Sequence, residues 1–252
     1  MGDSSRTIIV TGGSRGIGGA ISKAFHAGGE RVVIAARTDT GLAAGLGDRA
    51  LFVPTDVTRP TALRQAVERA IEWSGRLDAV VNNVGASAWR PLAEIDEEFW
   101  QTMLDTNLKS VLFMSQAAAP HLPQGGSIIN ISSLAGKRGS ANNSVYCAAK
   151  FGVNGITQSL AKELGPKGIR VNAVCPVYVR TEGLDEALAQ PNSPTRGADT
   201  AGFLADFASA QSALGSIPTA DQIAATCVFL ASSAAGAITG QCLNVDCGVM
   251  PQ

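Results

Sequence analysis

The sequence predicts a doubly wound α/β fold, with a parallel seven-stranded sheet between two layers of helices. Three observations carry that prediction. Short, continuous apolar runs of strand length recur along the chain, as strands buried on both faces of a parallel sheet require. Segments of helical period separate those runs, which is the order in which β-α units wind such a sheet. The first run ends in a glycine-rich turn that opens a helix, the arrangement by which an α/β edge holds a phosphate.

At 252 residues, with 45% apolar and 5% aromatic content, the chain suits one core built from Ala, Val, Ile and Leu, so a single domain over 1–252 is expected. A net charge of −1 without any basic run argues against nucleic-acid or membrane-surface partners. No stretch approaches the ~18 consecutive apolar residues of a membrane span. Met1 to Arg6 is short and polar and lacks the apolar region of a signal peptide, so a cytoplasmic location is expected. The five cysteines, Cys147, Cys175, Cys227, Cys242 and Cys247, contain no C-x-x-C pair and fit reduced thiols. With His26 and His121 the sole histidines, no metal site is expected.

The first strand is expected over Arg6 to Thr11. Gly12-Gly13-Ser14-Arg15-Gly16-Ile17-Gly18 follows, and a helical pattern then runs through Ile21, Ala24 and Phe25 to Gly28-Gly29. Glycines let a backbone approach a pyrophosphate, and a helix N-terminus offers N–H groups and a positive dipole end. Such a turn can also serve packing alone; the flanking strand and helix are what favour a nucleotide. The second strand, Arg31 to Ala36, leads to Arg37-Thr38. A carboxylate about 20 residues past the glycine loop would hold a ribose 2′-hydroxyl, whereas an arginine accommodates a 2′-phosphate. Ala36 and Arg37 stand here, and Arg15 can close on the same phosphate, so NADP(H) is favoured over NAD(H). The alternative is that both arginines are solvated surface groups.

The third strand, Ala50 to Thr55, leads to Asp56-Val57; Asp56 either accepts from an adenine amino group or caps the helix that begins near Pro60. That helix, Thr61 to Trp73, precedes a fourth strand over Leu77 to Val81 and the cluster Asn82-Asn83-Val84-Gly85. Its amides can tie strand ends together while Gly85 gives close backbone access. Ala86 to Ile95 reads as a loop whose Trp89 and Arg90 serve a substrate or an interface. A helix from about Glu97 to His121 has Asn107 in its middle, where asparagine needs a reason. Ser127 to Ser133 is the fifth strand, ending in hydroxyls.

The next helix, about Ser144 to Leu164, opens with Tyr146-Cys147-Ala148-Ala149-Lys150, which places a phenol and an ammonium on one face. Such a pair is more often a solvated face than a site; in a site, the positive charge would favour the phenolate. Gly168 to Val174 and Leu243 to Val245 supply the last two strands. Between them, 182–217 is too long for a simple connection and is punctuated by Pro191, Pro194 and Gly197. It is expected to form a substrate lid or an ordinary pair of surface helices.

These features together resemble the classical short-chain dehydrogenase/reductase family over essentially the whole chain. The residues that carry the resemblance are Thr11-Gly12-x-x-x-Gly16-Ile17-Gly18, Asp56-Val57, Asn82-Asn83-Val84-Gly85, Asn107, Ser133, Tyr146-x-x-x-Lys150, Pro176 through Thr181, and Ile238-Thr239-Gly240-Gln241 before Val245-Asp246. It implies a Rossmann-type, three-layer α/β/α sandwich. It implies Tyr146 as the general acid/base, Lys150 as the group that lowers the Tyr146 pKa and holds the nicotinamide ribose, and Ser133 as a hydrogen-bond partner of the reacting oxygen. Asn107 would hold a water linking Lys150 to solvent. Family spacing to Tyr146 selects Ser133, and Ser132 should then face away. The cofactor contacts implied are Gly12, Ser14, Arg15, Gly16, Ile17, Gly18, Arg37, Thr38, Asp56, Val57, Asn83, Gly85, Tyr146, Lys150, Pro176, Val179 and Thr181.

Val84, Val177 and Cys247 depart from the usual Ala, Gly and Gly of the family, and none removes a catalytic group. The activity implied is NADP(H)-dependent interconversion of a secondary alcohol and a ketone. Arg196, Asp199 and Gln211 in the lid segment hint at a small polar substrate such as a polyol, sugar or hydroxy acid. Reduction of a 3-oxoacyl thioester on an acyl carrier protein is the alternative, for which the linear sequence shows no basic cluster. A non-catalytic NADP-binding regulator is the alternative of a different class, and the presence of Ser, Tyr and Lys speaks against it. The resemblance also suggests a homotetramer, with the helices around Asn107 and Tyr146 packing across one interface and the C-terminal segment near another.

Overall fold

The computed structural model describes residues 5–251; residues 1–4 and 252, part of the expected domain, lie outside the described residues. Seven parallel strands form one sheet: β1 (Thr7–Thr11), β2 (Arg31–Ala36), β3 (Ala50–Pro54), β4 (Ala79–Asn82), β5 (Ser127–Ile131), β6 (Arg170–Pro176) and β7 (Cys242–Val245). Their order is β3-β2-β1-β4-β5-β6-β7. The winding reverses between β1 and β4, so the connections at their carboxyl ends part and leave a crevice there.

The apolar runs work as expected because the inner strands each feed two cores, while the edge strand β7 packs on one through Leu243 and Val245. Ile8, Val10, Val32 and Ile34 pack on α1 (Gly16–Ala27), α2 (Leu42–Leu46) and α9 (Ala220–Ala231). On the other side, Ile9, Val33, Val80 and Ile128 pack on α3 (Pro60–Ser74), α5 (Ser110–Ala118) and α6 (Ser144–Leu164). Fully burying one such side chain contributes roughly 1.5–3 kcal/mol, which explains why alternation is absent from the strands. Neither α2 nor α9 was anticipated. For α9 a signal existed, since Thr219 and Gln222 form a reciprocal capping box at its start.

The helix expected over 97–121 is interrupted. It consists of α4 (Glu97–Leu104), a π-helical turn over Asp105–Lys109, α5, and a 3₁₀ turn over Ala119–His121. The long excursion folds into α7 (Glu182–Leu188) and α8 (Thr200–Gln211). It is seated by a third apolar cluster in which Trp89 joins Ala187, Leu188 and Leu204. Trp89 is therefore buried beneath the excursion, which rules out the role of an exposed interface residue, and it borders the cleft at the carboxyl edge of the sheet. Among the described residues no helix is long and apolar enough to cross a membrane, and no cluster of three metal-ligating side chains occurs.

Candidate active site at the carboxyl edge of the sheet

All residues named above as cofactor contacts border one cleft of about 1400 Å³ at the carboxyl edge. Its first wall is the glycine turn. Gly12 and Gly16 have left-handed φ of +62° and +55°, conformations that L side chains rarely adopt. A Cβ on Gly18 would lie 2.1 Å from the Gly12 carbonyl oxygen, so the turn folds back on its own helix only without one. Asn83 secures this shape by donating from Nδ2 to the carbonyls of Thr11 (3.0 Å) and Gly12 (3.4 Å). Helix α1 has no side-chain cap and no acid in its first turn, which leaves its N-terminal N–H groups and positive end to an incoming anion. The cradle fits a dinucleotide pyrophosphate.

The floor is set by β5 and α6. An amide ladder joins them: Asn82 Nδ2 donates to Asn130 Oδ1 (2.9 Å), and Asn130 Nδ2 donates to Thr157 Oγ1 (2.9 Å). Ser133, at the end of β5, hydrogen-bonds the Tyr146 hydroxyl and accepts from Ala135 N at 3.1 Å. Ser132 is buried, and its hydroxyl donates to the Lys150 carbonyl at 3.3 Å, so the two serines divide as expected. Lys150 is 2% exposed; its Nζ donates to the Ile131 carbonyl at 2.9 Å and lies 5.6 Å from the centre of the Tyr146 ring.

The electrostatics of this pair reverse one expectation. Burial pushes the Tyr146 phenol up to about 12, against the lowering influence of its Ser133 hydrogen bond. Burial also draws Lys150 down to about 8. Lys150 therefore does not lower Tyr146 here: its ammonium sits over the ring face and is turned to Ile131, while desolvation opposes the charged form of both groups.

Asn107 lies behind the cleft wall. The π turn swings its fully buried side chain inward, where Nδ2 donates to the carbonyls of Ala86 (3.0 Å) and Met103 (2.9 Å) and Oδ1 accepts from Ala86 N (3.0 Å). The asparagine thus pins the chain after β4. A Cβ on Gly85 would lie 3.1 Å from Asn107 Oδ1 and 3.3 Å from Lys150 Nζ, so this glycine keeps both groups close to the cleft.

At the opposite end, Arg15 and Arg37 flank the turn. Arg15 is engaged across the cleft mouth by Glu182 (3.3 Å) and Glu186 (3.8 Å) of α7. Asp56 neither caps α3 nor projects alone: Thr58 donates to its Oδ1 from both the hydroxyl (2.8 Å) and the backbone (3.0 Å), holding the carboxyl below its ordinary value. Thr181 caps α7 through its hydroxyl, accepting from Leu184 N.

Several lining residues escaped the sequence reading. Arg138, Asn142 and Asn143 approach from the loop before α6, and Asn192 and Ser193 from the excursion, while Tyr178, within the Pro176–Thr181 stretch, was not singled out by itself. Tyr178 is fixed edge-on by Phe203 and Phe207, at ring distances of 5.7 and 4.9 Å. The position of Asn143 three residues before Tyr146 was a usable signal for one of them; the others depend on how the excursion folds.

Residues 12–250 match the family model described as enoyl-(acyl carrier protein) reductase. Short-chain reductase protein NovJ of Streptomyces niveus is 38% identical over 248 residues, covering 95% of this chain and 92% of its own. A solved short chain dehydrogenase from Burkholderia cenocepacia J2315 in complex with NADP superposes at a TM-score of 0.84, with 34% identity and 97% of both chains covered. Ligand-free aldohexose dehydrogenase (AldT) of Thermoplasma acidophilum superposes at 0.87, with 29% identity over 97% of this chain and 94% of its own. These likenesses run through the whole sheet and both walls of the cleft, and the chain accordingly belongs to the classical short-chain dehydrogenase/reductase family of NAD(P)-dependent oxidoreductases.

Proposed function

We propose that the protein is an NADP(H)-dependent oxidoreductase that interconverts a secondary alcohol and a ketone, with Tyr146 as the proton-transfer group. The observation that carries this reading is the meeting of Ser133, Tyr146 and Lys150 on a cleft floor whose far end is the glycine cradle. The bound nicotinamide supplies or receives the hydride. Tyr146, neutral with its phenol raised to about 12, holds a proton suited to a carbonyl oxygen that becomes alkoxide-like as it is reduced. Ser133 steadies that oxygen. Lys150 serves the ribose hydroxyls, and Asn107 keeps the Ala86 backbone, and with it the cleft wall, in register. Arg15 and Arg37 support the choice of NADP(H) over NAD(H), because both border the glycine-turn end of the cleft, where β2 ends on Ala36 and not on a carboxylate, and an arginine there accommodates a 2′-phosphate.

For the substrate, a small polar alcohol or ketone of polyol, sugar or hydroxy-acid type fits best. Asn143 borders the cleft with a buried carboxamide oxygen that has no hydrogen-bond partner, an acceptor suited to a substrate hydroxyl. Residues 182–217 act as the lid over it. A 3-oxoacyl-thioester reductase is the second reading, and it is favoured by a relative named 3-oxoacyl-(acyl-carrier-protein) reductase in Chlamydia muridarum, 35% identical over 257 residues. We further read the protein as a homotetramer, since Trp100, Leu112 and Phe151 leave apolar surface exposed on α4, α5 and α6.

An NADPH-oxidation screen over acyl thioesters, sugars and small ketones, run beside Tyr146→Phe, tests these points. Turnover should vanish in the variant while NADPH binding, read by fluorescence, persists. Retained turnover would remove Tyr146 from its role, and cofactor binding without turnover on any substrate in the wild type would favour a regulator.

A further inference from the structure

Away from the cleft, two cysteines share one face of the sheet. In the β6–β7 ladder Ala173 pairs with Cys242 and Cys175 with Asn244, so Cys175 and Cys242 are diagonal neighbours pointing to the same side. Each thiol lies within the electrostatic reach of the other. Cys175 is fully buried, whereas Cys242, on the edge strand, is partly exposed. Lys137 Nζ donates to the Cys242 carbonyl at 2.6 Å, which brings an ammonium beside the pair.

The two sulfurs influence each other oppositely. Cys175 is pushed up by its neighbour Cys242 and by burial, so it keeps its proton, which it donates to Asn154 Oδ1; Cys242 is drawn below its ordinary value by Cys175, with Lys137 adding to the effect. The proposed hydride chemistry uses neither sulfur. The remaining cysteines are built differently; Cys227, for example, is buried with its thiol pushed up to about 12, which makes it unreactive.

We propose that Cys242 and Cys175 form a peroxide-reactive dithiol, with Cys242 as the attacking sulfur and Cys175 as the resolving sulfur, whose oxidation joins β6 to β7 and slows turnover. The Cys242 thiolate attacks one oxygen of hydrogen peroxide: an S–O bond forms, the O–O bond breaks, and the departing hydroxide takes a proton as water. Cys175 then attacks the sulfenic sulfur of Cys242, giving up its proton; the S–S bond forms and the displaced hydroxide leaves as a second water. Two thiols thus lose two electrons to one peroxide. Diagonal neighbours stand about 7–8 Å apart, slightly beyond the roughly 6.8 Å limit of a relaxed disulfide, so the four-residue edge strand must shift a little and the bond should be readily reduced.

The route to the active site is short. Cys175 Sγ lies 3.8 Å from Asn154 Oδ1, and Asn154 Nδ2 donates to the Gly136 carbonyl at 2.9 Å. Gly136 closes the 3₁₀ turn Leu134–Gly136 that Ser133 caps. Drawing the Cys175 sulfur toward Cys242 loosens that turn.

The test is titration of the purified protein with hydrogen peroxide, followed by alkylation and digestion without reduction. The expected product joins the Cys175 and Cys242 peptides and is lighter by two hydrogens, with a loss of turnover that dithiothreitol restores. Cys242→Ser should abolish both changes. Cys175→Ser, or Cys175→Ala should serine disturb the core, should stop at a Cys242 sulfenic acid trapped by dimedone. Cys247→Ser, which removes the other partly exposed thiol, should respond as the wild type does. Peptide mapping needs no substrate, so its failure is separate from any failure of the proposed activity. Oxidation at Cys247 or Cys147 while Cys242 stays open to alkylation overturns the site; a Cys175–Cys242 bond with unchanged turnover overturns its effect.

Discussion

Lys150→Met separates what the buried ammonium does to stability from what it does for catalysis. Burial draws the Lys150 pKa from 10.5 down to about 8. A cation whose folded pKa lies below its unfolded value leaves the folded state with fewer protons between the two. The resulting penalty is complete below the folded value, shrinks as pH rises through the interval and is gone above the unfolded value. At about 1.4 kcal/mol per pKa unit, the penalty at pH 7 is about 3 kcal/mol. Methionine of similar length removes it but forfeits the bond from Nζ to the Ile131 carbonyl, a loss of about 1 kcal/mol.

The variant should therefore be more stable than the wild type by about 2 kcal/mol at pH 7, lose that advantage from pH 8 upward, and be less stable by about 1 kcal/mol near pH 10.5. Tyr146, raised to about 12, lowers stability above pH 10 in both proteins and largely cancels in the difference. Urea unfolding at one protein concentration across this range reads the gap, while carbonyl reduction by the variant should be lost. A gap that does not move with pH, or a wild type already more stable at pH 7, would refute a burial-dominated Lys150.

Three further outcomes follow from the site. Glu182→Gln combined with Glu186→Gln removes the carboxylates that occupy Arg15; these pairs are exposed and weak, so NADPH should bind up to about fivefold tighter and NADH unchanged by titration, and equal effects on both cofactors would dissociate Arg15 from the 2′-phosphate. Gly18→Ala should abolish detectable cofactor binding, because its Cβ would sit 2.1 Å from the Gly12 oxygen, whereas Gly19→Ala, with no atom nearer than 3.6 Å, should bind normally; matching behaviour of the two variants would contradict the close-approach argument. Asn107→Ala strands the Ala86 N–H and the Ala86 and Met103 carbonyls, and should destabilise the fold by about 2–4 kcal/mol in urea unfolding, with a change below about 0.5 kcal/mol showing that water replaces the amide.

The sheet was readable because burial on two faces writes itself as unbroken apolar runs, and Ile8 to Val10 need no other residue to be recognised. The shared face of Tyr146 and Lys150 was equally local, a consequence of helical spacing. What escaped depends on partners distant in the chain. Nothing near Arg15 announces carboxylates 167 residues away, and nothing in Asp105 to Lys109 specifies a wider turn until Ala86 is present to receive the Asn107 amide. Trp89 looked like a surface residue because the segment that buries it, α7 and α8, comes about a hundred residues later. The Cys175–Cys242 contact likewise appears only when β6 and β7 are laid side by side.

The direction of the two pKa shifts has the same origin and a functional consequence. Helical spacing alone says that a lysine four residues from a tyrosine should help ionise it, and it would if both heads stood in water or met head to head. In the folded chain both are buried, and the dominant effect is desolvation, which drives Lys150 toward the amine and Tyr146 toward the phenol. The ammonium has the Ile131 carbonyl and the face of the Tyr146 ring as partners, but no carboxylate among the described residues. Such a cation is under-solvated, and any ligand that brings oxygens to it relieves the penalty on binding. On the proposed reading those oxygens are ribose hydroxyls, so the instability of Lys150 in the unliganded protein becomes affinity in the complex, and the ammonium, relieved of its desolvation penalty, then helps to pull the Tyr146 pKa down when the reaction needs the phenolate.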